Sequence, residues 1–421
     1  MKRYVVAAFY AVWLVAVEFI FYWVRGHDPS SLQHVVMLGV IPPAVQFALL
    51  GLNPYGLVAP ARLFIVFLLI VLFSYLSNGS GGEAFDYVME LMFIFGVAMV
   101  IAGSPDPQLI RAIAVIAGVL NAVFLLYIDF FGEYVWGRLY AAGIDPNWWG
   151  LMAGWGAAGA FAYRSWLAGG FCFGVGLLTM YESQSRGTMV AILAALAVLG
   201  FLYVKQLRGS RLMVATAIVA GCLGTLVIMS SVIQSEVVNA VLNDVFKVDD
   251  PQRGAGQGLT GRTDFWGEAL DLWQRSPLFG IGFRQHENYL SGASNAHNAY
   301  LAMMADTGTA GLVWYVAFVF LSLAAAFRIP DRGTRNLVIA TIVTYMMIGM
   351  FERRAINGGN PFSVYYLVCC CYALAQKQWL GAIAGTALAP IAAQGAFTDH
   401  RLRALSSARS SLFAADGTVE K

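Results

Sequence analysis

Charge is scarce in this chain. Only 12% of its 421 residues are Asp, Glu, Lys or Arg, and the formal net charge is +2. A soluble domain carries roughly 25% charged residues. A balance this small excludes a nucleic-acid partner, which is held by a cationic surface. Cysteine is sparse as well. Cys172, Cys222, Cys369, Cys370 and Cys371 all fall in apolar runs, which leaves no disulfide framework and no zinc spacing. The triplet Cys369-Cys370-Cys371 points three ways around a helix and cannot chelate one ion. The chain also has no Gly-rich phosphate loop and no HExxH. Asp249-Asp250, in a turn-forming stretch, is the one adjacent acid pair of its loop. The expectation is a protein with neither a metal site nor a cofactor.

What the chain has in quantity is apolar length. Hydrophobic residues make up 59% of it, and the mean hydropathy is +0.67. A spanning helix needs about 20 mostly apolar residues. Twelve runs are candidates, the short ones among them set by packing between neighbours: Tyr4–Val24, His34–Leu52, Ala61–Ser77, Phe85–Gly103, Leu109–Phe131, Trp148–Tyr163, Leu167–Tyr181, Thr188–Val204, Leu212–Ser231, Gly308–Phe327, Asn336–Met350 and Pro361–Ala375. The first, behind Met1-Lys2-Arg3, reads as a span rather than a signal peptide. Pro42-Pro43 is expected to kink the second. The fold class is therefore an all-α polytopic membrane protein of about twelve transmembrane helices.

The domain plan follows. Residues 1–230 hold helices 1–9, 231–307 form a long polar loop, 308–380 hold helices 10–12, and 381–421 make a polar, basic tail. Basic residues mark the cytoplasmic side. Lys2-Arg3, Arg164, Lys205 to Arg211 and Arg328 to Arg335 then lie inside with both termini, and the long loop lies outside. Within it, Thr263–Gln274 repeats Phe265, Trp266, Ala269, Leu270 and Trp273 at helical spacing before Ser276-Pro277 stops the run. That is an amphipathic helix suited to lie on the outer face of the bundle or in the membrane interface.

The outer cations are almost all arginine, against the usual bias of outer loops: Arg138, Arg186, Arg262, Arg284, Arg353 and Arg354 among them. A guanidinium fork binds phosphate oxygens bidentately and stays charged when partly desolvated, so a diphosphate at the membrane surface is a fitting ligand. Solvated or acid-paired arginines are the plainer reading. Arg186 opens a helix in YESQSRGTMVAIL, where the helix N-terminus itself attracts anions, with Ser183, Ser185 and Thr188 as further donors. His297, in SNAHNAYL, stands where a helix begins. A histidine in such a place is able to take a proton from a sugar hydroxyl, with Asn298 and Tyr300 beside it to hold the sugar or the imidazole. A structural histidine is the alternative. Asp306-Thr307-Gly308 should end or bend that stretch before the next span.

The stretch from Gly261 to Leu312 orders Arg-x₃-Trp, SPLFGIG, HNAYL and DTGTAGL; upstream stand SQSRGTMVA and RLYAAGIDPN. In that order and sidedness, these motifs resemble the O-antigen ligase/polymerase superfamily. Asp306 stands where relatives often carry glutamate. The resemblance implies a GT-C-like glycosyltransferase of the bacterial inner membrane with its active site facing the periplasm. It would move a glycan from undecaprenyl pyrophosphate to a lipid A–core acceptor sugar, without metal and with inversion. It further implies that Arg186 and Arg262 hold the pyrophosphate and that His297 activates the acceptor. Arg138, Asn147, Arg284, Asn298, Tyr300, Arg353 and Arg354 are the expected substrate-binding residues. Two alternatives stay open. One is an O-antigen polymerase, which uses a second lipid-linked glycan as acceptor. The other is a transporter of lipid-linked glycan, against which stands the near absence of charge inside the spans, Glu18 and Glu90 excepted.

Overall fold

The computed structural model describes residues 1–24, 38–78, 82–135, 138–140, 146–206, 258–291, 296–352, 356 and 360–376. These all belong to one compact unit, Met1–Lys377; the second, Gln378–Lys421, lies outside the described residues. So do the expected ninth span, the first part of the polar loop, and the basic tail. The protein is an all-α polytopic membrane protein. Its described helices are α1 (Lys2–Val24), α2 (Ile41–Leu50), α3 (Val58–Asn78), α4 (Gly82–Ala102), α5 (Leu109–Phe131), α6 (Pro146–Gly159), α7 (Trp166–Glu182), α8 (Arg186–Gln206), α9 (Gly258–Arg275), α10 (Ala299–Ala326), α11 (Arg332–Ile348) and α12 (Pro361–Gln376). Four of them, α3, α5, α8 and α10, are long and apolar enough to cross a membrane by length and composition. A short antiparallel ribbon, β1 (Glu133–Val135) with β2 (Arg138–Tyr140), joins α5 to α6.

Burial sorts the helices. From Phe362 to Ala375 every residue of α12 is buried, and so is all of α6 except Asn147. A helix apolar all round and covered all round forms the centre of its bundle. By contrast, α3 exposes Ile65, Leu69, Phe73 and Leu76, and α8 exposes Leu193 and Phe201. Such faces are what hydrocarbon solvates. Lipid supplies no hydrophobic drive between helices, so close approach at small residues holds them together. A Cβ on Gly150 would fall 2.1 Å from the Ser185 Cβ, one on Gly154 would fall 2.7 Å from a Thr188 methyl, and one on Gly176 would fall 2.8 Å from the Ala153 carbonyl. The glycines of α6 thus form the bed on which the α7–α8 turn lies.

Two expectations change in detail. Pro42 does not kink a helix; it sits in the first turn of α2, where a missing N–H costs nothing. The inward face of α9 centres on Ala269 and Leu272, while Leu270 is exposed. The expected bend at Asp306-Thr307-Gly308 is present. Gly308 has φ +67° inside α10, and its missing side chain makes room for the Leu278 carbonyl. A Cβ there would meet that carbonyl at 2.3 Å. The first limb of α10, before the kink, therefore runs separately from the spanning limb.

Candidate functional site

The site is assembled from residues at or near the starts of α6, α8, α9 and α10 and the ends of α7 and α11. The ribbon is pinned first: Arg138 Nε donates to the Ser183 carbonyl at 2.9 Å and its Nη2 to Asn147 Oδ1 at 2.9 Å. One guanidinium thereby joins the ribbon, the start of α6 and the end of α7. Arg186 then opens α8, as its sequence context suggested. The turn ahead of it is tight, with Gln184 at φ +49°. Ser183, Ser185 and Thr188 are buried, with Ser183 Oγ on the Met180 carbonyl and Ser185 and Thr188 hydroxyls 2.9 Å apart. These hydroxyls build the turn that presents Arg186.

The next residue, Gly187, packs on the end of α11; a Cβ there would lie 2.9 Å from the Phe351 Cβ. Glu352 follows immediately. Its Oε1 lies 3.4 Å from Arg262 Nη2, and its Oε2 lies 3.9 Å from His297 Nδ1. One carboxylate therefore stands between the arginine of α9 and the histidine ahead of α10, one residue from the contact that places the Arg186 turn. Glu352 and Arg262 are mostly shielded (15% and 19% exposed), and His297 is more open at 26%. Shielding strengthens such contacts relative to open water. The Arg262 contact uses one of the five N–H donors of its guanidinium.

His297 has φ +46°; among the described residues, the non-glycine positions in the left-handed region are Gln184, Arg284 and His297. Each lies in a segment that carries an expected site residue. Strain of this kind costs about 1–3 kcal/mol per residue and persists where the surroundings over-determine it. Asn298 and Tyr300 supply part of that restraint. Asn298 Oδ1 caps α10 by accepting from the Tyr300 and Leu301 N–H groups, and its Nδ2 donates to the Met350 carbonyl at 3.3 Å. Tyr300 donates its hydroxyl to the Met346 carbonyl at 2.9 Å, and the Ala299 N–H donates to the Gly349 carbonyl at 2.7 Å. These bonds tie the start of α10 to the end of α11, so His297 and Glu352 are held on one frame. Arg353 and Arg354, also expected to bind substrate, lie outside the described residues.

The loop after α9 is fastened to the kink of α10. Asp306 accepts the His286 backbone N–H at 2.9 Å, and both its oxygens lie 2.9 Å from His286 Nδ1; the two side chains are 2% and 5% exposed. The Ile281 and Gly282 N–H groups donate to the Ala305 and Asp306 carbonyls, and Ser74 of α3 donates to the Asp306 carbonyl at 2.7 Å. The SPLFGIG stretch is thus a strap across α10. Gly280, at φ +70°, lies flat against Asp306-Thr307, where any Cβ would meet backbone at 2.3 Å. On the other flank, Glu268 accepts from the Ser291 N–H at 2.8 Å and from its hydroxyl. Those two donors hold the Glu268 carboxyl below its ordinary range.

Sequence reasoning missed Glu352 and His286. For Glu352 the sequence carried no distinguishing signal, because an acid ahead of Arg353-Arg354 reads as one paired with its neighbours. For His286 the signal was a histidine spaced just behind the Gly-rich strap. Among the described residues, no three His, Cys, Asp or Glu side chains group together as metal ligands.

A family model described as O-antigen ligase matches residues 171–316. That segment holds Arg186, Arg262, His286, His297 and Asp306; Glu352 lies beyond it. No curated protein matches the chain. Over residues 171–316, the chain is similar to the O-antigen ligase family.

Proposed function

We propose that this protein is an O-antigen ligase. It transfers a glycan from undecaprenyl pyrophosphate to a sugar hydroxyl of a lipid A–core acceptor, at the periplasmic surface of the inner membrane. The observation that carries the reading is Glu352 set between Arg262 and His297, beside the turn that opens with Arg186. The acceptor oxygen attacks the anomeric carbon from the side opposite the diphosphate, and the bond to the diphosphate breaks with inversion. The bonding pair leaves on the phosphate oxygen, where Arg186 and Arg262 offset the growing charge. The acceptor proton passes to His297. Because Nδ1 is turned toward Glu352, Nε2 is the atom that receives it, and the imidazolium then has a carboxylate 3.9 Å away. Glu352 acts through His297 and Arg262, as a positioning residue.

The decisive experiment uses purified protein in detergent with a defined lipid-linked glycan and a lipid A–core acceptor. The expected product is glycosylated core with release of undecaprenyl pyrophosphate, unaffected by EDTA. Lengthened lipid-linked glycan with unmodified core would make the protein a polymerase instead. No conversion without a membrane gradient would favour transport. Glu352→Gln, which keeps size and removes the charge, is expected to lower kcat/KM by about tenfold to a hundredfold, the worth of one charge-assisted contact. Unchanged kcat/KM would release His297 from its partner.

A further inference from the structure

Two helices carry the proposed chemistry: α9 with Arg262, and the first limb of α10 behind His297. At the site they share Glu352. At their far ends Trp273 Nε1 of α9 donates to Thr309 Oγ1, just past the kink of α10, at 3.1 Å. The pair therefore runs side by side away from the site. Between these points Ala269 and Leu272 of α9 share one small buried cluster with Ala302 and Ala305 of α10. Methyl groups give two helices close approach and little to resist tilting. From Arg262 to Trp273 the helix runs about 16 Å, so a tilt of about 4° at the far end moves Arg262 by about 1 Å. A displacement of that size at a reacting centre costs about a hundredfold in rate.

Polar contacts supply the missing restraint, and they form a continuous bridge. Asp306, just ahead of the kink, accepts from the His286 backbone N–H, and both its oxygens lie 2.9 Å from His286 Nδ1. His286 opens the short turn His286–Asn288. Ser291, just beyond that turn, donates through its N–H and its hydroxyl to Glu268 of α9. The segment from His286 to Ser291 thus runs from α10 to α9. Its two anchors are unequal. Glu268 and Ser291 meet at an exposed position, where water competes for each donor, whereas His286 and Asp306 are buried. A carboxylate withdrawn from water depends on the donors that remain to it. The His286 Nε2 atom, buried as well, meets no hydrogen-bond partner among the described residues. His286 therefore acts through Nδ1, as an N–H donor to Asp306.

We infer that His286 and Asp306 are positioning residues of the transfer, anchoring the bridge that sets Arg262 against His297. This rests on the transfer reading of the site. Two variants of the purified full-length protein test it. In His286→Asn the amide nitrogen stands close to the place of Nδ1 and keeps the bond to Asp306. In His286→Gln it stands one methylene further out, near the place of Nε2. Both side chains are neutral, and neither is bulkier than histidine. With donor and acceptor saturating, His286→Gln should lower kcat about tenfold to a hundredfold, while Kd for undecaprenyl pyrophosphate stays within about threefold. His286→Asn should keep kcat within about threefold of wild type. An asparagine variant as slow as the glutamine one would mean that the ring itself is needed. Wild-type turnover in both would mean that the bridge positions nothing. Either result overturns the inference.

Backbone hydrogen exchange reads the same restraint without turnover. The amides of residues 299–302, at the His297 end of the limb and remote from the substitution, should exchange at least about tenfold faster in His286→Gln than in wild type. In His286→Asn they should exchange at the wild-type rate. Unchanged exchange in the glutamine variant, or acceleration spread over the whole bundle, would overturn the inference: the first leaves no clamp, the second a general loss of stability. The expected exchange pattern in a protein whose wild type transfers no glycan would remove the transfer reading and leave the bridge. Transfer by wild type with exchange unchanged in His286→Gln would do the reverse.

Discussion

His297→Ala should reduce glycan transfer by about 10²- to 10⁴-fold, the range that a positioned general base contributes. In the proposed transfer the imidazole takes the acceptor proton, and the segment that carries it is held in place. Asn298 caps the helix behind it, the Ala299 N–H reaches the Gly349 carbonyl, and Glu352 faces its Nδ1. None of the capping bonds uses the imidazole, so the frame should survive its removal. Alanine is poorly suited to φ +46°. His297→Asn is therefore the companion variant, because asparagine tolerates the left-handed region and still lacks the base. Both variants should retain monodispersity and affinity for undecaprenyl pyrophosphate. Turnover at the normal rate in either would remove His297 from the mechanism.

Arg262→Lys should lower kcat by about 10²- to 10³-fold, comparable to deleting one donor that stabilises a developing anion. Charge alone survives this change, and lysine can keep a contact to Glu352. What it cannot do is pair with Glu352 through one nitrogen while a planar fork engages a phosphate through the others. The comparison with Arg262→Ala separates the two roles. A lysine variant close to alanine means that fork geometry is required. Full activity of the lysine variant would reduce Arg262 to a general electrostatic role.

Much of this architecture is written in local pattern. The run Leu109–Phe131 was delimited by apolar content alone, and α5 has those bounds. Gly308 announced the bend of α10, and Ser276-Pro277 marked the end of α9, because glycine and proline act on their own backbone. The turn that presents Arg186 was legible from the short polar stretch SQS between two apolar runs. Glu352 was not. It meets Arg262 across a separation of 90 residues, and nothing in the local sequence FERR distinguishes it from an acid paired with its neighbours. The same holds for His286 and Asp306, joined only once the strap crosses the helix. Among the outer arginines, the sequence offered equivalent cations, whereas tertiary structure separates them. Arg138 ties the ribbon to two helices, Arg284 stacks on Tyr87, and Arg262 meets the acid at the site. Contacts of this kind depend on which helix ends converge, and that is set by packing of glycines such as Gly150 and Gly187 against their neighbours.

The most direct measurement is an experimental structure of the protein with undecaprenyl pyrophosphate bound. The account places the diphosphate against the guanidinium groups of Arg186 and Arg262, with His297 facing the anomeric position. A diphosphate bound away from Arg186, Arg262 and His297 would contradict it.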